Sequence, residues 1–427
     1  MTGSIRIALI GAGMFGSDVH LRTYANLQRA GIGPQLGRVG LADWGRDLAP
    51  IQFELVAIAA HSEASAKRGA EQFKNWTGTF PKIYWGEQPW NDVLQEFPDL
   101  AVLAVATPDH LHTPGILAAL RAGAHVITEK PMCLDLIEAD QIIDSARRQN
   151  LVVAVDMHKR YDPDHLRIGQ DLKNRIGDPL YGIAYLEEPI ELPARRFKWT
   201  QQSDPFTYVG PHWVDLICHY YGAKPVSLTA VGQKKRLVRD GIDAFDAVQV
   251  RVDFENGLSM HFENNWITPP DFEGPVNQGH EIVGTEGKIE SDQQYRGLRW
   301  WTHHGGMRTA NTHFTREIIG AGGVPSWIGY GIDSLTAALA AICRVKYFRS
   351  SLLDVAPLYP TADQARVVVA VIQAARLVRD LNFKYLQSGQ GAPVSARFGR
   401  DGLTIIDPTR VNEGATAVLQ RVYSHPI

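Results

Sequence analysis

Cysteine is scarce in this chain of 427 residues, and the three present, Cys133, Cys218 and Cys343, lie far apart. An odd number without paired spacing builds neither a disulfide scaffold nor a zinc site of paired ligands, so a reducing compartment is expected. Long apolar runs are missing as well, since no stretch approaches the ~20 residues that a membrane helix requires. Met1 to Ala8 run directly into Leu9, Ile10 and a glycine motif, which leaves no room for the three regions of a secretory leader. These absences predict a cytoplasmic protein without a membrane partner. An excess of one charge is lacking too. Lys and Arg number 43 against 46 for Asp and Glu, a formal net charge of −3 that gives no global electrostatic reason to expect nucleic acid. His303-His304 and His313 form no ligand set, so no metal site is expected. The chain has neither an internal repeat nor a low-complexity tract.

What is present is enough apolar material, 44% of the residues, for the core of a two-domain protein. Ile5, Ile7, Leu9 and Ile10 make a short apolar strand. Gly11-Ala12-Gly13-Met14-Phe15-Gly16 follows at once, and Ser17 to Arg29 reads as a helix. Strands at Phe53–Ala60, Leu100–Ala106, His125–Thr128 and Leu151–Val155 alternate with helices at Glu63–Phe73, Thr113–Ala122 and Leu136–Arg148. That alternation predicts a doubly wound parallel sheet over residues 1–155. From residue 156 to 427 the pattern changes. Strand candidates Tyr181–Glu187, Val226–Val231, Asp246–Phe254 and Ser259–Trp266 succeed one another with few helices between, which predicts an α+β domain with an antiparallel-rich sheet. Trp266–Gly279 and Gly320–Tyr330 read as surface excursions, and Thr361–Leu381 as an amphipathic helix. The tail after Asn382 has no assignment.

In Gly11-x-Gly13-x-x-Gly16 the first glycine permits a tight turn, the second lets backbone approach a diphosphate, and the third lets helix pack on strand. Met14 and Phe15 complete the loop, whose helix offers free N–H groups to phosphate. The acidic residue that would hold an adenosine ribose is absent at the end of the second strand, where Ala59-Ala60-His61-Ser62 stands. Nothing there repels a 2′-phosphate, and His61, Ser62, Lys67 or Arg68 can donate to one, so NADP is favoured over NAD. Lys67 and Arg68 are equally well read as the solvated face of a helix. Thr107-Pro108 with His112, and Glu129-Lys130-Pro131, lie at carboxyl ends of strands, where open α/β sheets bind ligands. A lysine in a partly desolvated cleft can shuttle protons while a flanking carboxylate orients it; the structural alternative is a surface ion pair between Lys130 and Glu129.

The glycine motif, Thr107-Pro108 with His112, Glu129-Lys130-Pro131, Arg160-Tyr161-x-Pro163 and Gly284-Thr285-Glu286-Gly287 together resemble the glucose-fructose oxidoreductase, inositol dehydrogenase and MocA (Gfo/Idh/MocA) family over residues 5 to 385. The resemblance implies a Rossmann domain followed by a domain with a large open sheet, often used for oligomerisation, so that a homo-oligomer, dimer or tetramer, is expected. It also implies oxidation or reduction of a sugar-like hydroxyl or carbonyl, with a carbohydrate-like small molecule as substrate and Lys130 as the catalytic lysine. The family commonly sets an Asp four residues before a His and another Asp three after it. Here the pattern is Tyr208-x-x-x-His212-x-x-Asp215, so His212 and Asp215 match while tyrosine replaces the first Asp. A phenol beside an ammonium has its pKa lowered from ~10, which makes Tyr208 a candidate for proton transfer and His212 its assistant or substitute. Spacings of three and four put these residues on one helical face only if the helix already includes residue 208, a condition that Pro211 complicates. The plainer reading is a packed Tyr208 and a core His212. His219 and Tyr220 are expected to be structural.

His158 and Arg160 follow the last strand of the first domain, where substrate and nicotinamide should meet, and with Asp215 they complete the substrate candidates. Lys159, Tyr161, Glu187, Arg196, Lys198, Trp266 and His280 are weaker ones. Hydride transfer in an interdomain cleft is the expected chemistry. Redox-assisted elimination or hydrolysis with the coenzyme regenerated each turnover, and a non-catalytic dinucleotide-binding protein, are the other readings.

Overall fold

Parallel strands need crossover connections, and crossover helices cover both faces of their sheet, so such strands are apolar without alternation. Half of the strands of the first sheet follow that rule throughout. Its strands are β1 (Gly3–Ile10), β2 (Ile51–Ala60), β3 (Lys82–Trp85), β4 (Val102–Val105), β5 (His125–Thr128) and β6 (Val153–Val155), and every residue of β4, β5 and β6 is buried. The order is β3-β2-β1-β4-β5-β6 with all neighbours parallel. It reverses at β1, which places the ligand crevice of such a sheet beyond the carboxyl ends of β1 and β4. The computed structural model describes residues 3–320, 322–400, 402–410, 418–423 and 425–427.

The chain forms two compact units. The first comprises Met1–Cys133, Ile137–Leu166 and Thr312–Ala365. Its late segment begins with a hairpin, Arg316–Ile319 paired with Pro325–Ile328, and continues as the helix Tyr330–Phe348. Ile332, Leu335, Leu339 and Ile342 of that helix share one apolar core with Ile5, Ile7, Leu9 and Phe53. The expected surface excursion at 320–330 is thereby corrected in part: only the hairpin turn fits it, because Trp327 is fully buried and its backbone N–H donates to Asn26.

The second unit comprises Leu134–Leu136, Arg167–Asn311 and Arg366–Ile427. It is built on β7 (Pro179–Pro189), β8 (Pro225–Gln233), β9 (Ala247–Phe254), β10 (Ser259–Thr268), β11 (Asn277–Gly284) and β12 (Lys288–Asp292). The sheet runs β12-β11-β7-β10-β9-β8 and then takes three strands of the unassigned tail, Ser395–Gly399, Gly402–Ile406 and Val418–Tyr423. Among these pairings β7 and β10 are parallel and the rest antiparallel, so the sheet is mixed but mostly antiparallel, as the strand pattern predicts. In β10 buried positions alternate with more exposed ones from Ser259 to Thr268, the period of a strand with one face on a core. The amphipathic helix is longer than predicted, Ala362–Ser388. No helix among the described residues is long and apolar enough to cross a membrane.

Candidate active site

The three glycines of the turn after β1 have three different surroundings. Gly11 adopts φ +104°, and a Cβ there would lie 2.2 Å from the Ala106 carbonyl oxygen. At Gly16 a Cβ would lie 2.0 Å from the Gly11 carbonyl oxygen, so the helix packs directly on the turn. Gly13 is the opposite case, with nothing within 4 Å of its would-be Cβ. A backbone bare on that side lets an anion reach its N–H groups, and the helix that follows aims its N-terminus there. Beside the turn, the Thr107 hydroxyl is a buried polar atom without a hydrogen-bond partner in the structure. Such an atom costs free energy unless a ligand or water satisfies it. The residues therefore fit a dinucleotide, and the fit rests on the turn's own geometry.

At the end of β2, Ser62 caps the helix Glu63–Thr77, accepting the Ser65 N–H. Its hydroxyl donates to Ser65 Oγ at 3.1 Å, and Arg68 donates to the same oxygen at 2.9 Å. Ser62, Arg68 and His61 are all exposed there, while Lys67 is exposed on the same helix. Ser62 thus has a capping role that the sequence reading did not assign.

His112 opens the helix after β4. Its two ring nitrogens lie 2.7 Å from the Pro131 carbonyl oxygen and 2.8 Å from that of Thr107. It therefore staples the loop after β4 to the loop after β5 through backbone, and those loops carry Thr107, Pro108, Glu129 and Lys130. Both Glu129 and Lys130 are buried, which removes the surface ion pair from consideration. The Lys130 ammonium stands 5.8 Å from the centre of the Phe15 ring, within reach of a cation–π attraction. Met14, the other loop residue, is exposed.

Glu129 has a partner that sequence reading missed. His20 Nε2 lies 3.0 Å from its Oε1, and His20 Nδ1 lies 2.9 Å from the Tyr24 hydroxyl. Burial, with help from Asp156 and Glu129, holds the Tyr24 phenol well above its ordinary pKa. The tautomer that satisfies all three groups has Tyr24 donating to Nδ1 and Nε2–H donating to Glu129. Asp156, after β6, brings a carboxylate oxygen within 4.8 Å of His20 and Glu129. Asp156 accepts the Ser334 hydroxyl and faces His158 Nδ1 at 3.4 Å, and its pKa is held below the ordinary value against the cost of burial. A second grouping, Asp162, Asp164 and His313, has similar separations.

His158 is clamped between aromatic rings, with Phe15 stacked at 5.6 Å and Tyr330 stacked at 5.6 Å, and Phe314 tilted at 5.3 Å. Arg160 is buried and donates to Gln364 at 2.6 Å; Tyr161 donates to the Leu358 carbonyl at 2.8 Å. Lys159 is buried as well, and its carbonyl accepts from His165.

In the second unit Asp204 caps the helix Pro205–Val209 by accepting the Phe206 and Thr207 N–H groups. Gly210 keeps αR angles, so the backbone continues helically into Pro211–Tyr221, and the Val214 N–H bonds the Gly210 carbonyl. Residue 208 is therefore helical, and Tyr208, His212 and Asp215 meet the condition for sharing a face. Tyr208 packs among Phe197 at 5.1 Å, Trp199 at 5.2 Å and Trp266 at 6.3 Å, while His212 and Asp215 are buried. Trp266 is wholly buried with its indole N–H on Glu188, which makes it core rather than a stacking face for sugar. Glu187 accepts from Asn277, and His280 lies 5.3 Å from the Trp213 ring. Arg196 and Lys198 are exposed. His219 and Tyr220 pack edge to face at 4.9 Å, and a Cβ on Gly169 would strike the Tyr220 ring.

Comparison with known proteins agrees with this architecture. Residues 5–157 match the oxidoreductase family with an NAD-binding Rossmann fold, and residues 173–290 match the GFO/IDH/MocA C-terminal domain. A D-glucoside 3-dehydrogenase of Escherichia coli is 28% identical over 289 residues, 62% of this chain and 72% of that protein. A 1,5-anhydro-D-fructose reductase of Ensifer adhaerens is 26% identical over 198 residues, 45% of this chain and 57% of the reductase. The mouse trans-1,2-dihydrobenzene-1,2-diol dehydrogenase is 27% identical over 213 residues, 49% of this chain. The chain spans about three fifths of the length of these last two relatives. Among solved structures, scyllo-inositol dehydrogenase of Lactobacillus casei with NAD(H) and scyllo-inositol shares the fold at a TM-score of 0.63 and 16% identity, over 89% of this chain and 98% of the other.

Proposed function

The chain belongs to the GFO/IDH/MocA oxidoreductase family, and on that premise we propose that it moves a hydride between a nicotinamide dinucleotide and a hydroxyl-bearing or carbonyl carbon of a sugar, sugar derivative or polyol. The single observation that carries the reading is the glycine turn: two positions closed to any side chain flank one open to an anion, beside a buried hydroxyl that lacks a partner. The relatives named as acting on glucosides and anhydrofructose support the substrate class.

The N–H groups of the turn and the first helical residues hold the diphosphate, with the helix dipole favouring its charge. Thr107 and the loop carrying Glu129 and Lys130 hold the nicotinamide half. A bound nicotinamide supplies the hydride acceptor or donor. No carboxylate at the end of β2 repels a 2′-phosphate, and His61, Ser62 and Arg68 offer donors to it, so NADP is the coenzyme proposed over NAD. Lys130 polarises the reacting oxygen. The proton moves through Tyr208 or His212, whose common helical face presents a phenol and an imidazole one turn apart. His158, Arg160 and Asp215 orient the substrate, which lowers the entropic part of the barrier. The broad second sheet is proposed as the contact surface of a homo-oligomer.

A screen of polyols, aldoses and keto-sugars against NAD, NADP and their reduced forms, followed by nicotinamide absorbance, tests the activity, the coenzyme and the substrate class together. Turnover with a carbohydrate and tighter binding of NADP are expected. Calorimetry that detects no uptake of any of the four coenzyme forms overturns the reading.

A further inference from the structure

The helix after the glycine turn departs from α-geometry at Gly16–Leu21, a π-helical segment. A π turn holds one residue more than an α turn, and such turns gather at functional positions. His20 lies in this segment, wholly buried, and reaches across 109 positions of sequence to Glu129. The wider turn sets the rotational phase of His20 and of every residue after it.

A stable core alone does not call for this arrangement. Two carboxylates, Glu129 and Asp156, are buried within 4.8 Å of one another and of His20, where apolar side chains would avoid the cost of desolvation. The loop backbone has its own ties, since the Glu129 N–H bonds the Val105 carbonyl and the Asp156 N–H bonds that of Thr128. The His20 bond adds something the backbone cannot. It fixes a side chain next to Lys130 to the helix whose first turn faces the diphosphate position.

We propose that His20 is a positioning residue that registers the Glu129-Lys130 loop against the coenzyme-binding helix, so that holding the coenzyme and placing Lys130 are coupled through the His20–Glu129 hydrogen bond. The proposal rests on the dinucleotide reading above. Coupling runs from the first helical turn through the π segment to His20, then through Glu129 to Lys130, and Tyr24 holds the far side of the imidazole. The linkage makes coenzyme affinity respond to a residue that lies outside the glycine turn itself.

Two near-isosteric variants separate this role from a structural one. In His20→Gln the amide nitrogen stands where Nε2 was and keeps the donor to Glu129, while in His20→Asn the amide occupies the Nδ1 position and keeps only the Tyr24 contact. Affinities of the full-length proteins for NADH and NADPH are measured by calorimetry, beside thermal unfolding midpoints. Loss of a hydrogen bond to a carboxylate predicts that His20→Asn binds coenzyme about tenfold more weakly than wild type while His20→Gln stays within about threefold. The double variant His20→Asn with Glu129→Gln should bind no more weakly than the weaker single variant, because the two residues act through one bond. With a turnover substrate in hand, His20→Asn should lower kcat more than it raises the substrate KM. Equal affinities of the Asn and Gln variants, a loss that tracks only their unfolding midpoints, or additive losses in the double variant overturn the proposal. Failure of the wild-type protein itself to bind coenzyme would instead remove the dinucleotide reading on which the proposal stands.

Discussion

Valine at position 13 isolates the coenzyme contact from the stability of the fold. Gly13 does not adopt a positive φ, and a Cβ there meets no atom within 4 Å, so the backbone and its neighbours tolerate a side chain. Stability should therefore change by no more than about 0.5 kcal/mol, the usual range for a substitution that disturbs no contact. The isopropyl group nevertheless fills the space through which an anion reaches the N–H groups of the turn. Losing two charge-assisted hydrogen bonds, each worth roughly 1.5–3 kcal/mol, weakens binding by about 3–6 kcal/mol, or roughly 10²- to 10⁴-fold in Kd. Gly16→Val is the control with the opposite signature, because its Cβ would stand 2.0 Å from the Gly11 carbonyl oxygen and must distort the turn. Calorimetric titration with NADH and NADPH, paired with thermal unfolding, reads both quantities. A folded Gly13→Val protein that binds coenzyme within about fivefold of wild type would refute the assignment of the turn to the diphosphate.

Other substitutions probe the remaining assignments. Ser62→Asp places a carboxylate at the end of β2 and should shift the ratio of NADPH to NADH affinity toward NADH by about tenfold or more, through repulsion of the 2′-phosphate; an unchanged ratio in competition titrations argues against that subsite. If Tyr208 transfers the proton, Tyr208→Phe should lower kcat by about 10²-fold or more, whereas intact turnover in that variant with its loss in His212→Ala moves the role to the imidazole. His125 is buried, accepts the Val152 N–H at Nδ1 and has its pKa pushed down to about 4 by burial, with Lys346 adding to the effect. Protons then bind the unfolded chain more readily than the folded one between pH 6.5 and 4, so stability falls as pH falls through that window, by about 3 kcal/mol in all. His125→Asn keeps an acceptor near the Nδ1 position without titrating there. Urea unfolding at pH 7.5 and 4.5 should show a smaller pH-dependent loss for the variant, and an equal loss contradicts the attribution.

The first sheet was legible because its signals are local. Apolar runs bounded by Gly11-x-Gly13-x-x-Gly16, by Ala59-Ala60-His61-Ser62 and by Thr107-Pro108 mark strand ends within a few residues. β3 was missed because Lys82–Trp85 is only four residues long and has no buried position, at the sheet edge. The helix Tyr330–Phe348 was missed for a different reason: nearly all of it is buried, so its residues show little contrast between faces, and periodicity reads contrast. The tail strands Ser395–Gly399 and Gly402–Ile406 are too brief for alternation to stand out. At the candidate site, the glycines, Thr107, Glu129 and Lys130 were readable from motif and placement. His20 and Asp156 were not, because their approach to Glu129 depends on a π turn and on strand order, neither of which leaves a mark in residue spacing.

The helix Tyr330–Phe348 belongs to the same core as β1, yet the ribosome delivers it after most of the second unit. At roughly 5–20 residues per second, the second-unit segment Arg167–Asn311 that intervenes takes about 7–30 s to translate. For that interval the nascent sheet has one apolar flank without its permanent cover. A fragment ending near residue 166 would carry the glycine turn but expose that flank to aggregation, so shortened versions made to study coenzyme binding alone should precipitate unless the later segment is supplied.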